Sequence, residues 1–330
     1  MPDQRRQQAE QWASRLLEWP DFSSEAISSD ASFRRYFRLS AGDRSVVVMD
    51  APPERESVAA FLNVAERLAE VVHVPAILGA DIEQGFIALE DLGSRPFHHE
   101  LDADNADRLL GDALNALVKM QTAVSYEGLP VYDPARLYAE LDLFKDWFLR
   151  CHWQLEPSEE ELDAWDQVCA LLVRWALDQP QTFCHRDYMP RNLMLAEPNP
   201  GIIDFQDAVR GPISYDPVCL FRDAFLSWPV ERVDAWLEGY RQQALAAGLP
   251  VTTSPDLWRK TCDLMGVQRH LKVIGIFARI RYRDGKPAYL EDHTRFFGYL
   301  EEAIVRNPEL GELGRLLAVW RSRGLPGSRN

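Results

Sequence analysis

No run of about 18 apolar residues occurs in the chain, so no membrane-spanning helix is expected. The opening, MPDQRRQQAEQW, lacks the apolar segment of a secretory leader, and a cytoplasmic protein is expected. Cysteine is scarce and odd in number: Cys151, Cys169, Cys184, Cys219 and Cys262 form no CxxC pair. That pattern reads as reduced, mostly buried thiols, not as a disulfide framework or a zinc centre. Positive charge is short. There are 36 Lys and Arg against 51 Asp and Glu, a net charge of −15, which argues against a polyanion binder such as a DNA-binding protein. No lysine precedes Lys119, and there are no internal repeats or low-complexity segments.

What the chain does have is material for a core. Hydrophobic residues make up 46% and aromatics 11% of its 330 residues, which excludes wholesale disorder. The length suits one large domain or two lobes. Charge is unevenly spread: residues 251–330 carry 14 basic against 9 acidic side chains. The basic residues gather in Arg269, Lys272, Arg279, Arg281, Arg283 and Lys286. They form either a solvated face of amphipathic helices or a pocket for an anionic substrate group.

Trp12, Ala13, Leu16 and Leu17 predict a helix within 3–19. The stretches 24–29, 36–39 and 45–50, separated by polar segments, predict three antiparallel strands. Pro52-Pro53 stops the third. A helical stripe over 56–72 and two further strands, 75–79 and 86–89, follow. After Gly93 the pattern is helical, with stripes near 102–123, 134–151, 159–177, 230–247, 256–280, 289–305 and 309–322. The exception is 182–205, where extended pieces at 193–195 and 201–205 flank the turn signal Pro198-Asn199-Pro200-Gly201.

The chemistry concentrates in Cys184-His185-Arg186-Asp187-Tyr188-Met189-Pro190-Arg191-Asn192, followed by Ile202-Ile203-Asp204-Phe205. Phosphoryl transfer needs a carboxylate to orient the attacking hydroxyl and accept its proton, and oxygen ligands to hold Mg²⁺ against the triphosphate. Asp187 on a tight loop suits the first task. Asn192 and Asp204, at either side of a hairpin, suit the second.

His-x-Asp-x4-Asn, a hairpin and then Ile-Asp-Phe resembles the aminoglycoside phosphotransferase and choline-kinase branch of the protein-kinase-like superfamily. SDASFRRYFR, between the first two strands, looks like that branch's nucleotide-positioning loop, and ALEDLG looks like its hinge. The resemblance spans residues 20–300. It implies an α+β, bilobal protein-kinase-like fold: an N-lobe over 1–91 with a small antiparallel sheet, and a larger helical C-lobe over 92–330. It also implies ATP and Mg²⁺ as cofactors, with no nucleic acid, membrane or obligate protein partner. VVVMDAPP, CHRDYMPRNLM and IIDFQDAVRGPISYDPVCLFRDAF narrow the likeness to bacterial anomeric sugar kinases of that branch. Those enzymes phosphorylate the C1 hydroxyl of N-acetylmuramate and N-acetylglucosamine, and the sugar 1-phosphates feed UDP-sugar synthesis in cell-wall recycling.

The resemblance assigns Asp187 as catalytic base and Asn192 and Asp204 as Mg²⁺ ligands. Ser32, Phe33, Arg34, Arg35, Glu90 and Leu92 are the expected ATP-binding residues. Asp187, Asp207, Arg269 and Lys272 are the expected substrate residues, with Asp207 open between a substrate role and a solvated one. His185 and Asp216 are expected to be structural, Asp216 bracing the catalytic-loop backbone. His98-His99 reads as a surface pair. The chain departs from the family pattern at the third strand, where Met49 stands at the position of a phosphate-pairing lysine. Alternation of side chains predicts that only one of Arg34 and Arg35 turns to the phosphates in its place. Two readings remain open: a small-molecule kinase, acting on these sugars or on an aminoglycoside or choline, and a nucleotide-binding pseudokinase.

Overall fold

A computed structural model describes residues 3–28, 33–291 and 293–324. The chain divides into two compact units, Met1–Met120 with Pro190–Asp207, and Gln121–Met189 with Ala208–Asn330.

In the first unit the opening helical stripe folds as α1 (Gln4–Leu17), where the Asp3 side chain caps the Arg6 N–H. The alternating segments form β1 (Ser23–Ser28), β2 (Arg35–Ala41) and β3 (Arg44–Asp50). After α2 (Val58–Leu68) come β4 (Ile77–Asp81) and β5 (Phe86–Glu90). All five strands join in one antiparallel sheet of order β1-β2-β3-β5-β4. α1 lies against β3, closing a core of Ala9, Ala13, Trp19, Phe37, Leu39, Val46, Val48 and Phe86. The apolar stripe of α2 is Val58, Phe61, Val64, Ala65 and Leu68, all buried as a 3.6-residue period requires. α3 (Phe97–Glu100) and most of α4 (Ala106–Ala123) follow. The unit is completed by a hairpin from the middle of the chain, β7 (Leu193–Met194) and β8 (Gly201–Ile202).

The second unit is helical around a short sheet. β6 (Gln181–Cys184) pairs antiparallel with β9 (Val209–Pro212). The helices are α5 (Pro134–Leu143), α6 (Glu159–Leu177), α7 (Tyr215–Phe221), α8 (Val230–Ala246), α9 (Pro255–Asp284), α10 (Ala288–Glu291), α11 (His293–Arg306) and α12 (Gly311–Arg323). The stripe at 134–151 is not one α-helix, because α5 passes into a π-helical segment, Phe144–His152. α9 has 30 residues, with Ser254 as N-cap, Pro255 in its first turn and Gly285 at φ 68° ending it. From Thr261 to Val273 every residue of α9 is buried, so it is the axis of the unit and not an amphipathic surface helix.

Candidate active site

In the second unit the chain leaves β6 at Cys184 and turns through His185, Arg186 and Asp187. Asp216, fully buried on α7, accepts hydrogen bonds from the backbone N–H groups of His185 (2.7 Å) and Arg186 (2.9 Å). Burial raises the Asp216 carboxyl above its usual range, against the opposing pull of His185 and the backbone N–H groups. Arg186 sits at φ 72°, a left-handed conformation that residues with a Cβ adopt at a cost. The Asp187 N–H donates to His185 Nδ1 at 3.3 Å, and the buried imidazole meets the Tyr188 ring edge-on.

In the first unit Asn192 ends a 3₁₀ turn, Pro190–Asn192, directly before β7. The Ile203 N–H donates to the Asn192 carbonyl at 3.0 Å, extending the hairpin by one step. Asp204 then takes φ 63°, which a short polar side chain tolerates. The Asn192 amide donates to Asp204 Oδ2 at 3.3 Å, and Gln206 Nε2 donates to Asp204 Oδ1 at 2.8 Å. An amide and a carboxylate side by side form an oxygen donor set suited to Mg²⁺, so these residues fit the ion that the phosphotransferase pattern implies. The Tyr36 hydroxyl is made a weaker acid by burial and by the Asp204 charge. Arg34 pairs with Glu56 at 3.0 Å and with Asp207 at 3.5 Å, so it lies on the same side of this unit as the hairpin's acidic end.

The other expected nucleotide residues separate. Ser32 lies outside the described residues. Phe33 is exposed, with the Arg55 guanidinium 4.3 Å from its ring centroid. Arg35 turns away from Arg34 and binds the fully buried Asp50 at 2.6 Å; it also pairs with Asp3. Arg38 reaches Asp91 at 2.6 Å and the Gly93 carbonyl at 2.8 Å. Glu90 is exposed and accepts from the Ala76 N–H. Leu92 packs on Gly201, where a Cβ would come within 2.7 Å of Leu92 Cδ1. Met49 is fully buried in β3 and offers no charge.

The two α9 cations expected to meet substrate point into the interior, because α9 is the axis of its unit. Lys272 Nζ lies 3.3 Å from Glu140 and donates to Tyr215 Oη at 3.0 Å, so its charge is met within the protein. Arg269 is 2% exposed and donates to Cys219 Sγ. Glu140 escaped the sequence reading. Its signal is a charge set among Leu137 and Leu141 on the buried face of α5.

A family model described as "Phosphotransferase enzyme family" matches residues 23–258. An N-acetylmuramate/N-acetylglucosamine kinase of Pseudomonas aeruginosa is 57% identical over 88% of this chain and 86% of its own. One of the same description from Neisseria meningitidis is 42% identical over 95% of both. The choline kinase LicA of Streptococcus pneumoniae superposes with a TM-score of 0.65 at 14% identity, over 89% of this chain and 99% of its own. The fold is that of the kinase-like phosphotransferases. The chain belongs to the phosphotransferase enzyme family, and it is an ATP-dependent sugar kinase.

Proposed function

We propose that this kinase transfers the γ-phosphoryl group of ATP, with Mg²⁺, to the anomeric C1 hydroxyl of N-acetylmuramate and N-acetylglucosamine. The sugar 1-phosphates would feed UDP-sugar synthesis in peptidoglycan recycling, in the cytoplasm. The observation that carries the substrate reading is the 57% identity, over 88% of the chain, to a relative whose name states both sugars. Arg269 supports it. Among the described residues its Nε and Nη1 are buried without a hydrogen-bond partner, and donors of that kind suit the N-acetylmuramate carboxylate.

In this reading Asp187 orients the C1 hydroxyl and takes its proton as the oxygen attacks phosphorus. Asn192 and Asp204 hold Mg²⁺, which when bound neutralises phosphate charge. Arg34 takes the place of the absent lysine toward the phosphates, with Asp207 and Glu56 orienting it. Glu90 and Leu92 flank the nucleotide at the hinge, and His185 and Asp216 support the loop. Functionally, residues 1–91 serve the nucleotide and 92–330 serve catalysis and the sugar.

The test is ³¹P NMR of the product after incubation with ATP, Mg²⁺ and each sugar. A phosphorus signal coupled to the anomeric proton is expected. A 6-phosphate would overturn the anomeric assignment, and no sugar-dependent product would overturn the substrates.

A further inference from the structure

Beneath the catalytic loop lies a charge cluster in which the sequence reading gave no role to Glu140, Arg186 or Gln268. Glu140, 7% exposed, receives Arg186 Nη2 at 2.5 Å and Lys272 Nζ at 3.3 Å on Oε1. On Oε2 it accepts from Gln268 Nε2 at 3.1 Å and from the Tyr132 hydroxyl. Gln268 and Lys272 lie one turn apart on α9, so α9 offers Glu140 two donors from one face. Burial alone would push the Glu140 carboxyl up. The charges of Lys272 and Arg186 outweigh it, and the carboxyl lies below the usual glutamate range. Glu140 is thus an ionised anchor between α5, α9 and the loop.

The residue it grips directly precedes Asp187 and occupies a strained conformation. A left-handed non-glycine residue persists only where its surroundings over-determine it. Arg186 meets that condition at each end. Its N–H is held by Asp216 at 2.9 Å. Its carbonyl accepts from the Cys219 thiol at 3.6 Å, a thiol that burial pushes up to about 12 and so keeps protonated. Cys219 Sγ in turn accepts from Arg269 Nη2 at 2.9 Å. The guanidinium is held by Glu140 and lies over the Tyr132 ring, 5.2 Å from its centroid. Glycine would take this φ without strain. An arginine here implies a use for its side chain.

We propose that Glu140 is a positioning residue for phosphoryl transfer: through Arg186 it fixes the peptide that aims Asp187. The proposal rests on the reading of Asp187 as the base. Misplacement of a reacting group by about 1 Å costs on the order of 10²-fold in rate. Loss of the clamp should therefore appear in kcat and leave substrate affinity alone.

The experiment is steady-state kinetics of Glu140→Gln, Arg186→Gly and the double variant, beside Asp187→Asn. Thermal melts confirm that each is folded. For each single clamp variant kcat should fall about 10- to 100-fold, with KM for ATP and sugar within about twofold. The double variant should be no slower than the worse single one, because both remove one interaction. Glu140→Asp should recover part of the loss. Arg186→Gly, which relieves the backbone strain, keeps the test open if Glu140→Gln does not fold. Full turnover in folded Arg186→Gly or Glu140→Gln, additive losses, or a rise in KM at unchanged kcat would each overturn the proposal. Full turnover in Asp187→Asn would instead remove the reading of Asp187 on which it rests.

Discussion

Arg34 and Arg35 are adjacent in the chain, yet they serve different carboxylates. Arg35 lies opposite Asp50 in the β2–β3 register and neutralises it together with Arg5, which reaches the same buried carboxylate at 2.6 Å. Arg34 faces Glu56 and Asp207. Alternation expects the two side chains to part, as they do toward different carboxylates, but it does not say which goes where, because that depends on where Asp50 is buried. Arg34→Ala is expected to raise KM for ATP about 10- to 100-fold, as loss of a charge-assisted phosphate contact would. Arg35→Ala should leave that KM unchanged and lower stability by about 1–3 kcal/mol, since Asp50 keeps its ion pair with Arg5 but loses the hydrogen bonds from Arg35. ATP titrations and denaturant melts of the two variants read both effects; a KM rise in Arg35→Ala alone would reverse the assignment. Asp187, Asn192 and Asp204 could be proposed from the sequence because their spacing is local. Glu140 was not, because its partners lie 46 and 132 positions along the chain, at Arg186 and Lys272.

At the scale of elements, periodicity located the helices and the five-stranded sheet to within a few residues. It missed features set by distant partners. β6 and β9 have four residues each and are joined only across an intervening hairpin, so neither shows a period of its own. The π-helical Phe144–His152 carries a helical stripe, and over so short a segment the wider turn that goes with its i→i+5 hydrogen bonds is not resolved by side-chain pattern. Its packing partner is instructive. A Cβ on Gly275 of α9 would stand 2.3 Å from the Leu143 carbonyl carbon and 2.5 Å from the Phe144 nitrogen, where α5 passes into the π-helical turn. The neighbour is backbone and cannot swing aside. Gly275→Ala is expected to destabilise by about 1–3 kcal/mol or more, despite alanine's better helix propensity. Gly298 on α11 is exposed, with nothing within 4 Å of an added Cβ, and Gly298→Ala should gain up to about 1 kcal/mol. Urea midpoints decide the matter; equal gains in both variants would mean that the close approach at Gly275 does not exist.

For the whole molecule, histidine burial sets the response to acid. Burial lowers His98 to about 4, with His99 and Arg191 adding to the effect, and lowers His152 to about 4, helped by His293 and Arg281. His293 is lowered by burial as well, and the fully enclosed His270 is lowered far more, with Arg269 and Arg222 adding to its burial. In the unfolded chain each would titrate near its ordinary value of about 6.5. Between that value and the folded one, the unfolded state binds more protons, so stability rises with pH. The contribution is complete above about 6.5 and is lost as pH falls toward the folded values, with half-buried His98 and His152 giving less than His270. Asp216, Asp223 and Glu302 act in the opposite sense, since burial raises each carboxyl and their share of stability grows as pH falls. Their effect runs from ordinary values near 4 up to their raised folded values, so they oppose the imidazoles only as far up as burial carries them, and across pH 7.5 to 5.5 the histidines are expected to dominate. Calorimetric Tm should decline steadily over that range. His152→Asn, which removes one depressed imidazole and keeps a polar partner for Tyr282, should flatten the decline. A wild-type Tm that holds level or rises from pH 7.5 to 5.5 would mean that the buried carboxyls outweigh the imidazoles.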